Sequence, residues 1–332
     1  MKERVLITRK IFPEALALLK EQGIAYEMHE GPPLTKQELR RRIEGAEGLI
    51  CLLSDRIDRE VLEAGRGLRI VANVAVGYDN IDVQAASELG IMVTNTPEVL
   101  TEATADLTFG LILAVARRIV EGDRLVRSGG FHGWELDLLL GAEVHHKILG
   151  IVGLGRIGQA VARRAHGFGM EILYFDPIRR PEVERELGAR FVGLEELLQR
   201  SDFVSLHLPL TPQTRHLLGK RELGLMKPTA FLINAARGPI VDEAALVEAL
   251  KAGKLAGAGL DVFEHEPNVH PELLKLDNVV LTPHIGSAGR ETRVKMALMA
   301  VENLLAALSG QRPPNLVNPE VWPSLVKRAR PG

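Results

Sequence analysis

Three loops in this sequence carry ionisable residues directly after apolar runs. In "LTPHIGS" the residue is His284; in "INAARGPIVD" it is Arg237; in "GLDVFEHEP" there are three acids, Asp261, Glu264 and Glu266. An arginine leaving a buried strand beside Gly238 can grip a carboxylate through its planar fork. A histidine in a neighbouring loop can give a proton to a carbonyl oxygen. A glutamate on the other ring nitrogen stabilises the protonated imidazole. Anion anchor, acid and orienter are the parts needed to reduce a 2-keto acid, provided something supplies the hydride.

That supply is indicated by "GIVGLGRIGQAVARRAHGFGMEILYFD". The run Gly153-x-Gly155-x-x-Gly158 follows an expected strand and opens an expected helix. Gly153 permits the tight turn, Gly155 lets the backbone approach a pyrophosphate, and Gly158 lets the helix pack closely. The helix start then presents N–H groups to the phosphates. Asp176 lies 18 residues after Gly158, where a carboxylate accepts from both ribose hydroxyls and repels a 2′-phosphate, which favours NAD. Arg179 and Arg180 follow it, and either can pair with a 2′-phosphate, so NADP stands as the alternative.

The elements that must position these residues form two alternating series. In the first, strands are expected in "RVLIT", "IAYEM", "GLICLL", "LRIVANV" and "IMVTN". Helices are expected over Pro13–Glu21, Thr35–Ile43 (Thr35 as N-cap, Glu38 closing a capping box), Asp58–Ala64 and Asp82–Leu89. Leu100–Ser128 reads as one long helix, and Gly129–His146, with Trp134, as irregular. The second series begins at Ile148. Its strands are "ILGIVGLG", "EILYFD", "FVSLHL", "TAFLINAA", "LAGAGLDV" and "NVVLTPH". Its helices are Ile157–Gly167, "LEELLQRS" and Glu243–Ala252. Ala288–Leu308 is a last helix, followed by a Pro-rich extended tail. Short apolar runs alternating with amphipathic segments imply α/β architecture with two doubly wound parallel sheets.

Composition narrows the classes. The chain has 332 residues, enough for about two domains. With 46% hydrophobic and 25% charged residues it reads as a globular protein, and a net charge of −2 offers no basic excess for nucleic acid. The terminal "KRARPG" reads as a solvated tail. One cysteine, Cys51, rules out an internal disulfide framework and a cysteine metal site; no metal is expected. The N-terminus lacks a signal-peptide core, and the longest uncharged apolar stretch, Leu107–Ala116, is too short to cross a bilayer, so a cytoplasmic protein is expected.

The segments "VGYDNID", "GIVGLGRIG", "LHLPLTPQT", "INAARGPIVDEAAL", "GAGLDVFEHEP" and "LTPHIGSA" resemble those of the D-isomer-specific 2-hydroxyacid dehydrogenases across nearly the whole chain. "LLSDRID" and "PHIGSAGRET" point, less specifically, to the glyoxylate reductase/hydroxypyruvate reductase branch. The resemblance implies a catalytic trio of Arg237, Glu266 and His284, with His284 the proton donor. It implies that the backbone of Val76 and Gly77 binds the substrate carboxylate with Arg237, and that Leu53 lines the pocket. Asp261 would hold the nicotinamide carboxamide, with Thr104, Ala235 and Gly286 nearby. Arg156 and Ile157 would cover the pyrophosphate, and Pro209 and Thr214 would border the adenosine. It further implies a flavodoxin-like substrate domain of residues 1–99 and 287–332, a Rossmann cofactor domain of 100–286, and a homodimer formed through the latter. One departure bears on the cofactor: several reductases of this branch carry a neutral or basic residue where Asp176 stands, and prefer NADPH. Two alternatives keep the fold and change the role. A phosphoglycerate dehydrogenase would need basic groups that the loops at 53–56 and 76–80 supply only in Arg56. An NAD-sensing corepressor would need a recruiting arm, and only 24 residues follow the last helix.

Overall fold

Runs of valine, isoleucine and leucine become fully buried strands here because helices cover both faces of each sheet. The computed structural model describes residues 4–322; the "KRARPG" cluster lies outside them. The chain divides into two compact units. One holds the described residues up to Leu100 and from Ala288 onward; the other is Thr101–Ser287.

In the first unit the order is β1 (Arg4–Ile7), α1 (Pro13–Glu21), β2 (Ala25–Met28), α2 (Lys36–Arg42), β3 (Gly48–Cys51), α3 (Arg59–Ala64), β4 (Ile70–Asn73), α4 (Val83–Leu89) and β5 (Met92–Thr94). All strand pairs are parallel, in the order β2-β1-β3-β4-β5. Thr35 caps α2 as expected: its hydroxyl accepts from the Glu38 amide, and the Glu38 carboxylate accepts from the Thr35 amide.

The second unit runs α5 (Thr101–Ala116), α6 (Ile119–Arg127), β6 (Ile148–Val152), α7 (Arg156–Gly167), β7 (Glu171–Phe175), α8 (Pro181–Leu187), β8 (Arg190–Phe191), α9 (Leu194–Arg200), β9 (Phe203–Leu206), α10 (Lys220–Leu223), β10 (Phe231–Asn234), α11 (Glu243–Lys251), β11 (Gly257–Leu260) and β12 (Val279–Leu281). Its seven parallel strands lie in the order β12-β11-β10-β9-β6-β7-β8. The order reverses between β6 and β9, which opens a crevice at their carboxyl ends. Elements α8, β8 and α10 were not expected from the sequence; they are short and carry little apolar periodicity.

The last helix, α12 (Arg290–Leu308), returns to the first unit. Ala297, Ala300, Val301 and Leu304 pack with Val5, Ile50 and Ile70 of its sheet. The tail then runs along the edge strand β5. The Val317 amide donates to the Val93 carbonyl (2.8 Å), and the Asn318 side chain accepts from the Val93 amide (2.8 Å), so this edge is covered.

The long helix expected over Leu100–Ser128 is two helices. At the break Arg118 takes a left-handed conformation (φ 52°), and its guanidinium bonds both oxygens of Glu121. The Ala142 amide takes the Ala116 carbonyl at 2.8 Å. A segment remote in sequence therefore ends α5 where no glycine or proline marks a stop.

Candidate active site

The glycine turn after β6 behaves as its spacing predicts. Gly153 has φ +97°, and a Cβ there would lie 2.6 Å from the His207 carbonyl oxygen. A Cβ on Gly158 would lie 2.2 Å from the Gly153 oxygen, so this glycine lets α7 sit on the turn. Gly155 is the N-cap of α7 with no side-chain cap bond, and nothing lies within 4 Å of where its Cβ would be. Open space over an uncapped helix start suits a pyrophosphate. Arg156 and Ile157 form the first turn of α7. Asp176, 9% exposed, ends β7 beside the turn and accepts from the Leu154 amide (2.8 Å). After β9, the Thr214 hydroxyl donates to the Pro209 carbonyl (2.7 Å) and closes the loop expected to border an adenosine. The residues present therefore fit a dinucleotide.

His284 and Glu266 meet. The imidazole Nδ1 lies 2.8 Å from a Glu266 oxygen, and the other Glu266 oxygen accepts from the Phe263 amide at 3.0 Å. Burial pushes the pKa of this carboxyl up. The His284 hydrogen bond and charge, the Phe263 amide and the Arg237 charge outweigh that, and hold it below the usual carboxylate range. Arg237 starts the turn after β10, where the Asn234 side chain donates to its carbonyl (3.0 Å). The next residue brings the two loops together: a Cβ on Gly238 would lie 1.9 Å from the Phe263 carbonyl carbon.

Asp261 is fully buried, and its carboxylate braces the histidine loop. It accepts from the Ile285 amide (2.8 Å), the Thr282 hydroxyl (2.6 Å) and the Gly286 amide (2.8 Å). These bonds position His284, whose φ of 52° needs such bracing. Among the described residues Oδ2 accepts only from Gly286, and so keeps a lone pair for the carboxamide that the family resemblance assigns to this acid. Thr104 comes to the same place, since a Cβ on Gly286 would lie 3.4 Å from its methyl group and 3.3 Å from Asp261. Ala235 lies between Asn234 and the Arg237 turn. Sequence reasoning missed Glu243. Buried at the start of α11, it accepts from the Glu264 amide (2.9 Å) and the His270 amide (3.0 Å), and so ties down the loop that carries Glu266. "VDEAAL" read only as a helix start.

Other histidines have polar partners as well. His216 pairs with Glu264 at 2.5 Å and His145 with Glu143 at 2.8 Å, so a glutamate partner is not unique to His284. His207 bonds the Ser205 hydroxyl (2.9 Å), and burial pushes its pKa down to about 3, so it is neutral.

In the first unit, the loops after β3 and β4 are knitted together. Asn80 donates to the carbonyls of Leu52 and Asp55, both at 3.1 Å. Asn73 donates to the Gly77 carbonyl (2.9 Å) and Asn95 to the Val76 carbonyl (2.8 Å). The backbone at Val76 and Gly77 is thereby fixed, and the Leu53 side chain is left 37% exposed.

A seven-stranded parallel sheet with a glycine turn at its switch point, a ribose-directed acid and a histidine–glutamate pair near an arginine defines a nucleotide-dependent oxidoreductase. Comparison with known proteins narrows this. Residues 109–286 match the model of the D-isomer specific 2-hydroxyacid dehydrogenase NAD-binding domain. A glyoxylate reductase of Korarchaeum cryptofilum is 54% identical, with 100% of this chain and 99% of the relative aligned; one from Thermococcus onnurineus is 52% identical, with 97% of each covered. Among solved structures, the TT0316 protein of Thermus thermophilus superposes with a TM-score of 0.90 at 53% identity, over 95% of this chain and 99% of that one. An NADPH-dependent glyoxylate/hydroxypyruvate reductase of Sinorhizobium meliloti, in complex with NADP and malonate, gives 0.85 at 36% identity, over 97% and 98%. The chain belongs to the D-isomer-specific 2-hydroxyacid dehydrogenases. It is an NAD(P)-dependent oxidoreductase. No helix among the described residues is long and apolar enough to cross a membrane.

Proposed function

We propose that this enzyme reduces glyoxylate, and hydroxypyruvate beside it, to the corresponding D-2-hydroxy acid. The observation that carries the reading is the His284–Glu266 hydrogen bond with Arg237 close enough to influence the same carboxylate. It is supported by relatives about half identical over their full lengths that are glyoxylate reductases. Bound NAD(P)H supplies the hydride that is added to C2 of the keto acid. Arg237 holds the substrate carboxylate and polarises the carbonyl. His284 Nδ1 donates to Glu266, so Nε2 carries the proton that passes to the forming alkoxide oxygen. Glu266 stabilises the imidazolium and fixes its ring. Val76 and Gly77 contribute backbone N–H groups to the acid, and Leu53 sets the apolar lining.

In this reading the unit Thr101–Ser287 is the cofactor domain. Gly153, Gly155, Arg156, Ile157 and Gly158 hold the pyrophosphate, Asp176 the ribose, and Pro209 and Thr214 the adenosine. Thr104, Ala235 and Gly286 flank the nicotinamide, with Asp261 behind them. The other unit is the substrate domain, and two copies associate through their cofactor domains.

The test is His284→Ala assayed with glyoxylate. Loss of a positioned general acid lowers kcat by about 10²–10⁴, and NADH binding, followed by titration without keto acid, stays as it was. Unimpaired turnover by that variant overturns the proton-donor assignment.

A further inference from the structure

The carboxyl end of β7 holds charges of both signs that make opposite demands on the cofactor. Asp176 is pinned there, one oxygen accepting from the Leu154 amide and the other from the Ile178 amide, each at 2.8 Å. A fixed anion at this point accepts from ribose hydroxyls and repels a 2′-phosphate. Arg179 follows three residues later, and a guanidinium so placed is what a 2′-phosphate would recruit.

Arg179 is already engaged. Its Nε and Nη2 donate to the two oxygens of Glu184, both at 2.8 Å, in a bidentate pair. Glu184 stands on α8 with its side chain 17% exposed, against 65% for Arg179. It is also held from β7, where the Tyr174 hydroxyl donates to it at 2.7 Å. Tyr174 is itself fixed: its ring is buried against Phe191 (centroids 5.4 Å apart), and its hydroxyl accepts from the Arg180 amide at 2.8 Å. Arg179 and Tyr174 hold the Glu184 carboxyl down to about 2, so it is ionised wherever the enzyme works. The acid thus draws the arginine onto α8 from a rigid base.

We propose that Glu184 determines cofactor choice: it captures Arg179, leaves Asp176 as the charge that a 2′-substituent meets, and so sets this enzyme for NADH over NADPH. The proposal rests on the dinucleotide reading of the turn at 153–158 and is independent of which keto acid is reduced. It names Arg179 as the arginine a 2′-phosphate would recruit; Arg180, whose Nε is buried without a hydrogen-bond partner, is the competing candidate that the experiment separates from it.

The experiment is titration of NADH and NADPH fluorescence on the wild type, Glu184→Gln, Arg179→Gln, Arg180→Gln and the Arg179→Gln/Glu184→Gln double variant, without substrate. The wild type is expected to bind NADH more tightly. A charged hydrogen bond outweighs the surface ion pair it replaces by about one power of ten in affinity. Glu184→Gln should therefore tighten NADPH by about tenfold and leave NADH unchanged. The double variant should lose that gain, and Arg180→Gln should not alter the wild-type preference. Tyr174→Phe, which loosens Glu184 without changing charge, should move the ratio the same way by less. An unchanged NADH/NADPH ratio in Glu184→Gln overturns the proposal. So does a gain that survives in the double variant, which would make loss of the anion the whole cause. A wild type that prefers NADPH overturns it as well. Binding of neither nucleotide overturns the dinucleotide reading, and this proposal with it, and is thereby distinguished from the other outcomes.

Discussion

His284 has one ring nitrogen committed to Glu266, and that single bond orients the ring and supplies its counter-charge. The pair makes a pH-dependent contribution to stability whose sign follows from Glu266. Its carboxyl is lowered on folding from the ordinary value of 4.5. The stability it contributes is therefore complete above that value and is lost as pH falls through the lowered one. Thermal unfolding of wild type and Glu266→Gln between about pH 7 and pH 3 should show a Tm gap that is wide at neutral pH and closes in acid. A gap that stays constant would mean the carboxylate charge does not stabilise the fold. His207 shows the opposite use of a histidine: burial keeps it neutral, and it packs and hydrogen-bonds beneath the glycine turn instead of carrying protons.

At the scale of elements, the active loops are placed by contacts that tolerate no added atom. The turn after β10 and the loop after β11 pass so closely that a Cβ on Gly238 would overlap the backbone of Phe263. Gly238→Ala should therefore cost about 1–3 kcal/mol of stability through overpacking. It should also lower kcat by about 10²-fold, because parting the loops by about 1 Å separates Arg237 from Glu266. A refolded variant with wild-type Tm and kcat would show that the approach is not needed. Asp261 and Glu243 work in the same way from below, one bonding the histidine loop and the other the glutamate loop. Two amides and a hydroxyl on one buried acid, or two loop amides on another, hold geometry that no single loop could hold alone.

At the scale of the whole molecule, most of the large apolar residues that are more than half exposed fall in one stretch of the second unit, with Ile178 and Leu274 apart from it. Ile119, Val126, Phe131, Trp134, Leu136 and Leu140 are each more than half exposed, and Trp134 and Leu136 reach 81% and 80%. Apolar side chains exposed together in this way mark an association site, and in a homo-oligomer the same patch serves both copies. Sedimentation velocity should give twice the 36.4 kDa chain mass for the wild type. Trp134→Glu/Leu136→Glu should shift it to the monomer without unfolding it. A wild type that sediments as a monomer at assay concentration would remove the dimer from the proposed function.

The two alternating series, most strand centres, the capping box at Thr35 and the glycine turn were all legible in the sequence. Each of these is written in local periodicity or in residues whose backbone preferences are strong. Arg237, Glu266 and His284 stood out as well, because ionisable residues just past buried strands are legible as such. Tertiary structure decided the rest. The break at Arg118 depends on an amide contributed by Ala142. The short α8 shows its role only through its Glu184–Arg179 and Glu184–Tyr174 bonds. Asp261 could be placed near the cofactor from its loop, but its three bonds to residues 282–286 appear only once β11 and β12 lie side by side. Local preferences act over a few residues. Which carbonyl, carboxylate or arginine is already occupied depends on partners far along the chain, and only packing brings those partners within reach.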